Sequence, residues 1–276
     1  MSYKTIVVHV DDSRCSDARV EFAVDFALKH DARLIGLSVV CQDFLRPLFF
    51  DTGESLNLAV NEAQSAARQA LARDHFTAAA QRAAISAEWR APPGPAVETA
   101  TLHARHADLL IFGQQDPADP AAYIARHFLE DLLMGSGRPM ILLPYAGRIE
   151  RFGDAVLIAW DGGQAAARAV ADALPILQRA RFVEIVSVRR HRDETEPAGR
   201  DLATYLERQN VRAEFSSLLR VPRVSTGATL LNALTDTNPD LLLLGAYGHA
   251  RAEERVLGGV TRTMLESMTT PVFMSH

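Results

Sequence analysis

Four glycines crowd one stretch of this chain. Residues 241–264 read LLLLGAYGHARAEERVLGGVTRTM: an apolar run ends at Gly245, Gly248 follows, and the pair Gly258-Gly259 opens a segment of helical period. Glycines at the end of a strand and the start of a helix let main-chain N–H groups approach an anion with no Cβ in the way. The unpaired N–H groups of a helix start, and its dipole, favour a phosphate there. Val260 and Thr261 fall in the first turn of that helix, where the Thr261 hydroxyl is a further donor. Asp161 closes another apolar run of the same half and is expected in the same crevice, since ligands of open α/β sheets sit outside the carboxyl ends of the strands. The chemistry is therefore phosphate binding, although the chain has neither a GxxxxGK[ST] loop nor a GxGxxG after its first strand.

Other reactive side chains make weaker sets. Cys15 and Cys41 lack CxxC spacing and read as ordinary cysteines of a reducing compartment. His103 and His106 share a helix face without a third ligand at a matching interval, so no metal site is assigned. No Ser-His-Asp or Cys-His set can be nominated, and no general base stands out.

The elements that hold the glycines are written twice. KTIVVHVDD (4–12) is echoed by DAVLIAWDG (154–162), with Asp11 facing Asp161. ARLIGLSVV (32–40) is echoed by RFVEIVSVRR (181–190), HADLLIFG (106–113) by NPDLLLLG (238–245), and RPMILLP (138–144) by TPVFMSH (270–276). The same interval separates Asp108 from Pro139 and Asp240 from Pro271. Two homologous domains are read, 1–148 and 149–276. The apolar runs do not alternate, as befits strands buried on both faces of a parallel sheet. Between them lie helical patterns: 15–30, capped by Ser16 or Asp17, and 165–180, which Pro175 must kink or shorten. Third strands are expected in 84–91 and 211–220. Strand–helix alternation gives right-handed βαβ units and a Rossmann-like α/β fold. The 276 residues are 48% hydrophobic and 23% charged, enough for one core per half. A net charge of -5 gives no basic footprint for nucleic acid. No apolar run reaches the length of a membrane span and no signal-peptide pattern opens the chain, so a cytoplasmic protein is expected.

The spacing Gly245-x2-Gly248-x9-Gly258 resembles the nucleotide loop of the universal stress protein family, and the repeat resembles that family's tandem form. The resemblance implies two open five-stranded parallel sheets of order 3-2-1-4-5 flanked by helices, packed as an intramolecular pseudo-dimer through the strands at 140–143 and 272–275. It implies ATP as cofactor, with Mg2+ carried by the phosphates, at Asp161, Val188, Gly245, Gly248, Gly258, Gly259, Val260 and Thr261. Val188 would lie against the adenine. The family's Ser/Thr after the third glycine is Gly259 here, which removes one hydrogen bond worth about 1 kcal/mol.

The first half departs further. Gly113 remains, but Asp116 stands where the second glycine belongs, and Arg126 and His127 replace the glycine pair. This half is expected not to bind ATP in the family manner. The reading is a stress-response or signalling module, with slow hydrolysis at most, that exists as a monomeric pseudo-dimer or a homodimer and takes an adenine nucleotide and a protein partner. The alternative is a nucleotide-free interaction module that binds a protein or apolar ligand through the segment 41–60.

Overall fold

The structure is a computed structural model and describes residues 2–39, 55–119, 127–189, 199–247 and 259–276, with 55–65 in main chain only. The chain forms two compact units, Ser2–Arg138 and Pro139–His276. The first contains β1 (Thr5–His9), α1 (Ser16–His30), β2 (Arg33–Leu37), α2 (Ser55–Arg82), β3 (Ala87–Arg90), α3 (Ala96–Ala104), β4 (Leu109–Gly113) and α4 (Phe128–Ser136). The second contains β5 (Met140–Leu143), β6 (Ala155–Ala159), α5 (Gln164–Asp172), α6 (Leu174–Leu177) and β7 (Phe182–Arg189). It continues with α7 (Gly199–Arg208), β8 (Glu214–Leu219), α8 (Thr226–Thr237), β9 (Leu241–Gly245), α9 (Val260–Ser267) and β10 (Val272–Ser275).

Both units are α/β with parallel strands. In the first the order is β3-β2-β1-β4. In the second, β8-β7-β6-β9-β10 repeats that order and adds its fifth member, which is the expected 3-2-1-4-5. β5 groups with the second unit and runs antiparallel beside β10, Leu142 opposite Val272 and Met140 opposite Met274, so the expected pairing of 140–143 with 272–275 is present.

The matched apolar runs are the buried centres of the units. Ile6, Val7, Val8, Leu109, Leu110 and Ile111 are fully buried in one, Ile158, Leu241, Leu242 and Leu243 in the other. Both faces of these strands need cover, which is why their hydrophobicity does not alternate. The matched aspartates also have a structural reason. Asp108 accepts the Lys4 and Thr5 main-chain N–H groups at 2.7 and 2.9 Å, joining the start of β4 to that of β1. Asp240 accepts those of Asp154 and Ala155 at 3.2 and 3.1 Å, joining β9 to β6.

Pro175 acts as expected. α5 stops at Asp172 and Pro175 sits in the first turn of the short α6, where a missing N–H does no harm. The start of α1 differs from expectation. Cys15 holds the N-cap position without a side-chain cap, because Ser16 Oγ accepts the Asp11 N–H instead of one of its own helix. Among the described residues no helix is long and apolar enough to cross a membrane.

Candidate functional site

Six of the eight nominated residues lie at the carboxyl ends of the second unit's strands or at the start of α9. Since β6 lies between β7 and β9, Asp161 falls between Val188 and Gly245. Gly259 is the N-cap residue of α9, in extended conformation, and Val260 begins the helix. Thr261 is buried, and its Oγ1 accepts the Tyr247 N–H at 3.3 Å, tying the end of β9 to the start of α9. The helix start therefore offers main-chain N–H groups, and the Thr261 hydroxyl holds the two elements together. Gly248 and Gly258 lie outside the described residues, as do Cys41, Arg126 and most of the segment 41–60.

Gly245 has a packing role that spacing did not reveal. A Cβ there would meet the Ala166 main-chain nitrogen at 2.2 Å, so only glycine lets α5 lie this close to β9. Asp161 is exposed and accepts the Gly163 N–H through Oδ1 at 2.7 Å, a turn that leads into α5. Trp160 was not anticipated. Its main chain is fixed by the Val186 carbonyl at 2.8 Å and the Ser187 hydroxyl at 2.8 Å, and its buried indole N–H has no acceptor among the described residues. A lone Trp before an aspartate carries no sequence signal for this.

The first unit fills the equivalent place with its own side chains. Arg19, on α1, reaches back beneath β4 to Asp11, Nη2 to Oδ1 2.8 Å, and donates from Nε to the His9 carbonyl at 2.7 Å. A Cβ on Gly113 would come within 2.2 Å of Arg19 Nη1, so the guanidinium occupies the space this glycine leaves. Burial pushes the Asp11 carboxyl up, but Arg19, His9 and Ser13 outweigh it and hold the pKa at about 2. His9 is buried, stacked on Phe112 at 5.0 Å, and burial lowers its pKa to about 4. The segment after β4 is pinned in the same way. Arg14 donates to Asp116 Oδ2 at 3.1 Å, and its main-chain N–H to Asp119 Oδ2 at 2.8 Å. His127 caps α4 in the left-handed region, φ 73°, with its ring against Glu130 at 2.6 Å.

The remaining candidates separate. Burial raises the pKa of the Cys15 thiol, the opposite of an activated thiolate. His103 contacts Arg90 and His106 the Leu102 carbonyl, so the two rings do not converge on one ligand. No cluster of three or more metal-ligating side chains occurs among the described residues.

A doubly wound α/β strand order, present in both units, is the class this geometry defines. The sequence model of the universal stress protein family matches residues 2–137. No curated protein matches the chain in sequence. Among solved structures, a universal stress protein from Archaeoglobus fulgidus DSM 4304 is similar over 98% of this chain and 97% of its own, with 17% identity and a TM-score of 0.74. A functionally unknown protein from Pseudomonas aeruginosa PAO1 is similar over 99% and 92%, with 13% identity and a TM-score of 0.60. Through residues 2–137 the chain belongs to the universal stress protein family, and the second unit repeats the strand order of that half.

Proposed function

We propose that the second half binds ATP, with Mg2+ carried on the phosphates, and that the chain acts as a nucleotide-responsive stress or signalling module. The contrast between two equivalent aspartates carries the reading. Asp11 is half-buried and paired with Arg19, whereas Asp161 is exposed and, among the described residues, accepts the Gly163 N–H. Where the first half has His9, Cys15, Ser16 and Arg19, the second has Ala159, Ala165, Ala166 and Ala169. Small side chains leave the space beside Asp161 to a ligand. The Gly259 and Val260 N–H groups would hold the phosphates, Asp161 and the Val188 main chain the nucleoside. Gly248 and Gly258 would complete the loop. The ligand supplies the charge and the metal; the chain supplies oriented N–H groups and a carboxylate, and any hydrolysis is slow.

The test is calorimetric titration with Mg-ATP, after denaturing a sample to identify any nucleotide carried through purification. One site per chain is expected. Gly248→Asp should abolish binding by placing a carboxylate where the first half has Asp116, and Asp161→Ala should weaken it about tenfold. No binding at millimolar ATP would overturn the proposal and favour the nucleotide-free interaction module.

A further inference from the structure

β8 is the last strand in the second unit's order, with β7 on one side and, among the described residues, no strand on the other. Successive residues of a strand turn their N–H and C=O groups to opposite sides. Arg220 donates its main-chain N–H to the Arg189 carbonyl at 2.8 Å, so the even-numbered residues of β8 bond to β7. Phe215, Ser217 and Leu219 therefore turn their N–H and C=O groups to the free edge. Edge strands are ordinarily blunted by charge, proline or brevity. The first unit's edge strand follows that rule: β3 has four residues, and its Glu88 is ion-paired with Arg33 and Arg90. β8 has six residues, and between Glu214 and Arg220 it reads FSSLL, with neither a charge nor a proline. Leu219 and, just beyond β8, Val221 are exposed.

This edge is complementary to itself. It begins at Glu214, aligned with Glu184 of β7, and ends at Arg220, with Arg223 exposed beyond. A second copy laid antiparallel with Ser217 opposite Ser217 places Glu214 of each copy opposite Arg220 of the other. Phe215 then faces Leu219, and Ser217 its own copy. These are the residues whose N–H and C=O groups point outwards, so each pair exchanges both main-chain hydrogen bonds. Glu214 and Arg220 fall on the closer pairs between those bonds, where opposite charges attract. The apolar side chains agree with this register. Phe215 is held against α7, where a Cβ on Gly199 would strike its ring, and it meets the exposed Leu219. Neighbouring symmetric registers lose the match. A slip one way sets the exposed Arg212 opposite Arg220, like charges face to face, and a slip the other way sets Glu214 opposite Pro222.

We propose that the β8 edge is a homodimer interface, at which two copies of the chain join their sheets antiparallel about Ser217 in an isologous contact. The interface is independent of the nucleotide reading above. Sedimentation of the full chain across micromolar concentrations tests it. A monomer–dimer equilibrium is expected, weakened by salt because an ion pair at each end sets the register. Glu214→Arg and Arg220→Glu should each raise the dissociation constant about tenfold, since either one puts like charges opposite at both ends. The double variant Glu214→Arg/Arg220→Glu should restore the dimer, which a misfolded chain or a different interface would not do. Leu219→Pro removes an N–H that faces the free edge and not β7, and should weaken the dimer without touching a charge. A chain that is monomeric throughout overturns the proposal. So does a dimer that neither charge reversal weakens, or a double variant that associates no better than the single ones.

Discussion

His9 illustrates how much one buried side chain can set. Burial lowers its pKa from 6.5 to about 4, while Asp11 pulls it up and Arg19 down. The unfolded chain takes up a proton near pH 6.5 that the folded chain refuses until about 4. The associated stability is therefore complete above the higher value and lost as the pH falls through that window, by about 3 kcal/mol in all. Asp11 has the same sign at lower pH: its contribution is present above 3.8 and lost as the pH falls through about 2. Urea unfolding at stepped pH should show this decline, and His9→Phe, which keeps a ring against Phe112, should remove the upper part of it. Identical pH dependence in the two chains would exclude His9 as its source. None of this is visible in KTIVVHVDD, where His9 occupies a position that is otherwise apolar. Arg19 lies eight residues beyond Asp11 with nothing in the spacing to announce that the two meet.

At the scale of elements, the two glycines that end equivalent strands answer to different neighbours. Gly245 faces the main chain of α5, which cannot move without shifting the helix, and Gly113 faces the far end of the Arg19 side chain, which can. Gly245→Ala should therefore lower stability by about 2–3 kcal/mol, the range for overpacking. Gly113→Ala should cost clearly less, and thermal melts of the two variants side by side measure the difference. A larger loss for Gly113→Ala would mean that Arg19 is held as rigidly as a helix. The strand–helix order and the matched aspartates were legible because burial on two faces and the repeated Asp108 and Asp240 leave periodic marks. The part of Gly245 in packing was not, since a glycine that admits a helix and one that admits a phosphate are written alike. The cap of α1 was misread for a similar reason. Ser16 has the right side chain, but the turn from Asp11 to Ser13 claims its oxygen.

For the whole molecule, the two halves are alike in topology and differ in what stands beside their equivalent aspartates, Arg19 in the first and Ala169 at the matching position of the second. The repeat made the topology legible; the pinning of the segment after β4 depends on contacts between residues about a hundred positions apart, such as Arg14 with Asp116, beyond any local pattern. The grouping of β5 with Pro139–His276 makes a prediction at this scale. A fragment starting at Pro139 keeps the antiparallel partner of β10, and one starting at Ile149 leaves Val272–Ser275 as a bare hydrophobic edge. The longer fragment should stay monodisperse and melt higher in size-exclusion and thermal assays, and equal behaviour would show that β5 adds nothing to β10. The same pairing sets a timetable for synthesis. β5 leaves the ribosome about 130 residues before β10, a delay of roughly 6–26 s at ordinary elongation rates. During that interval Met140–Leu143 has no antiparallel partner, and on a polysome the nascent strands of neighbouring chains compete for it.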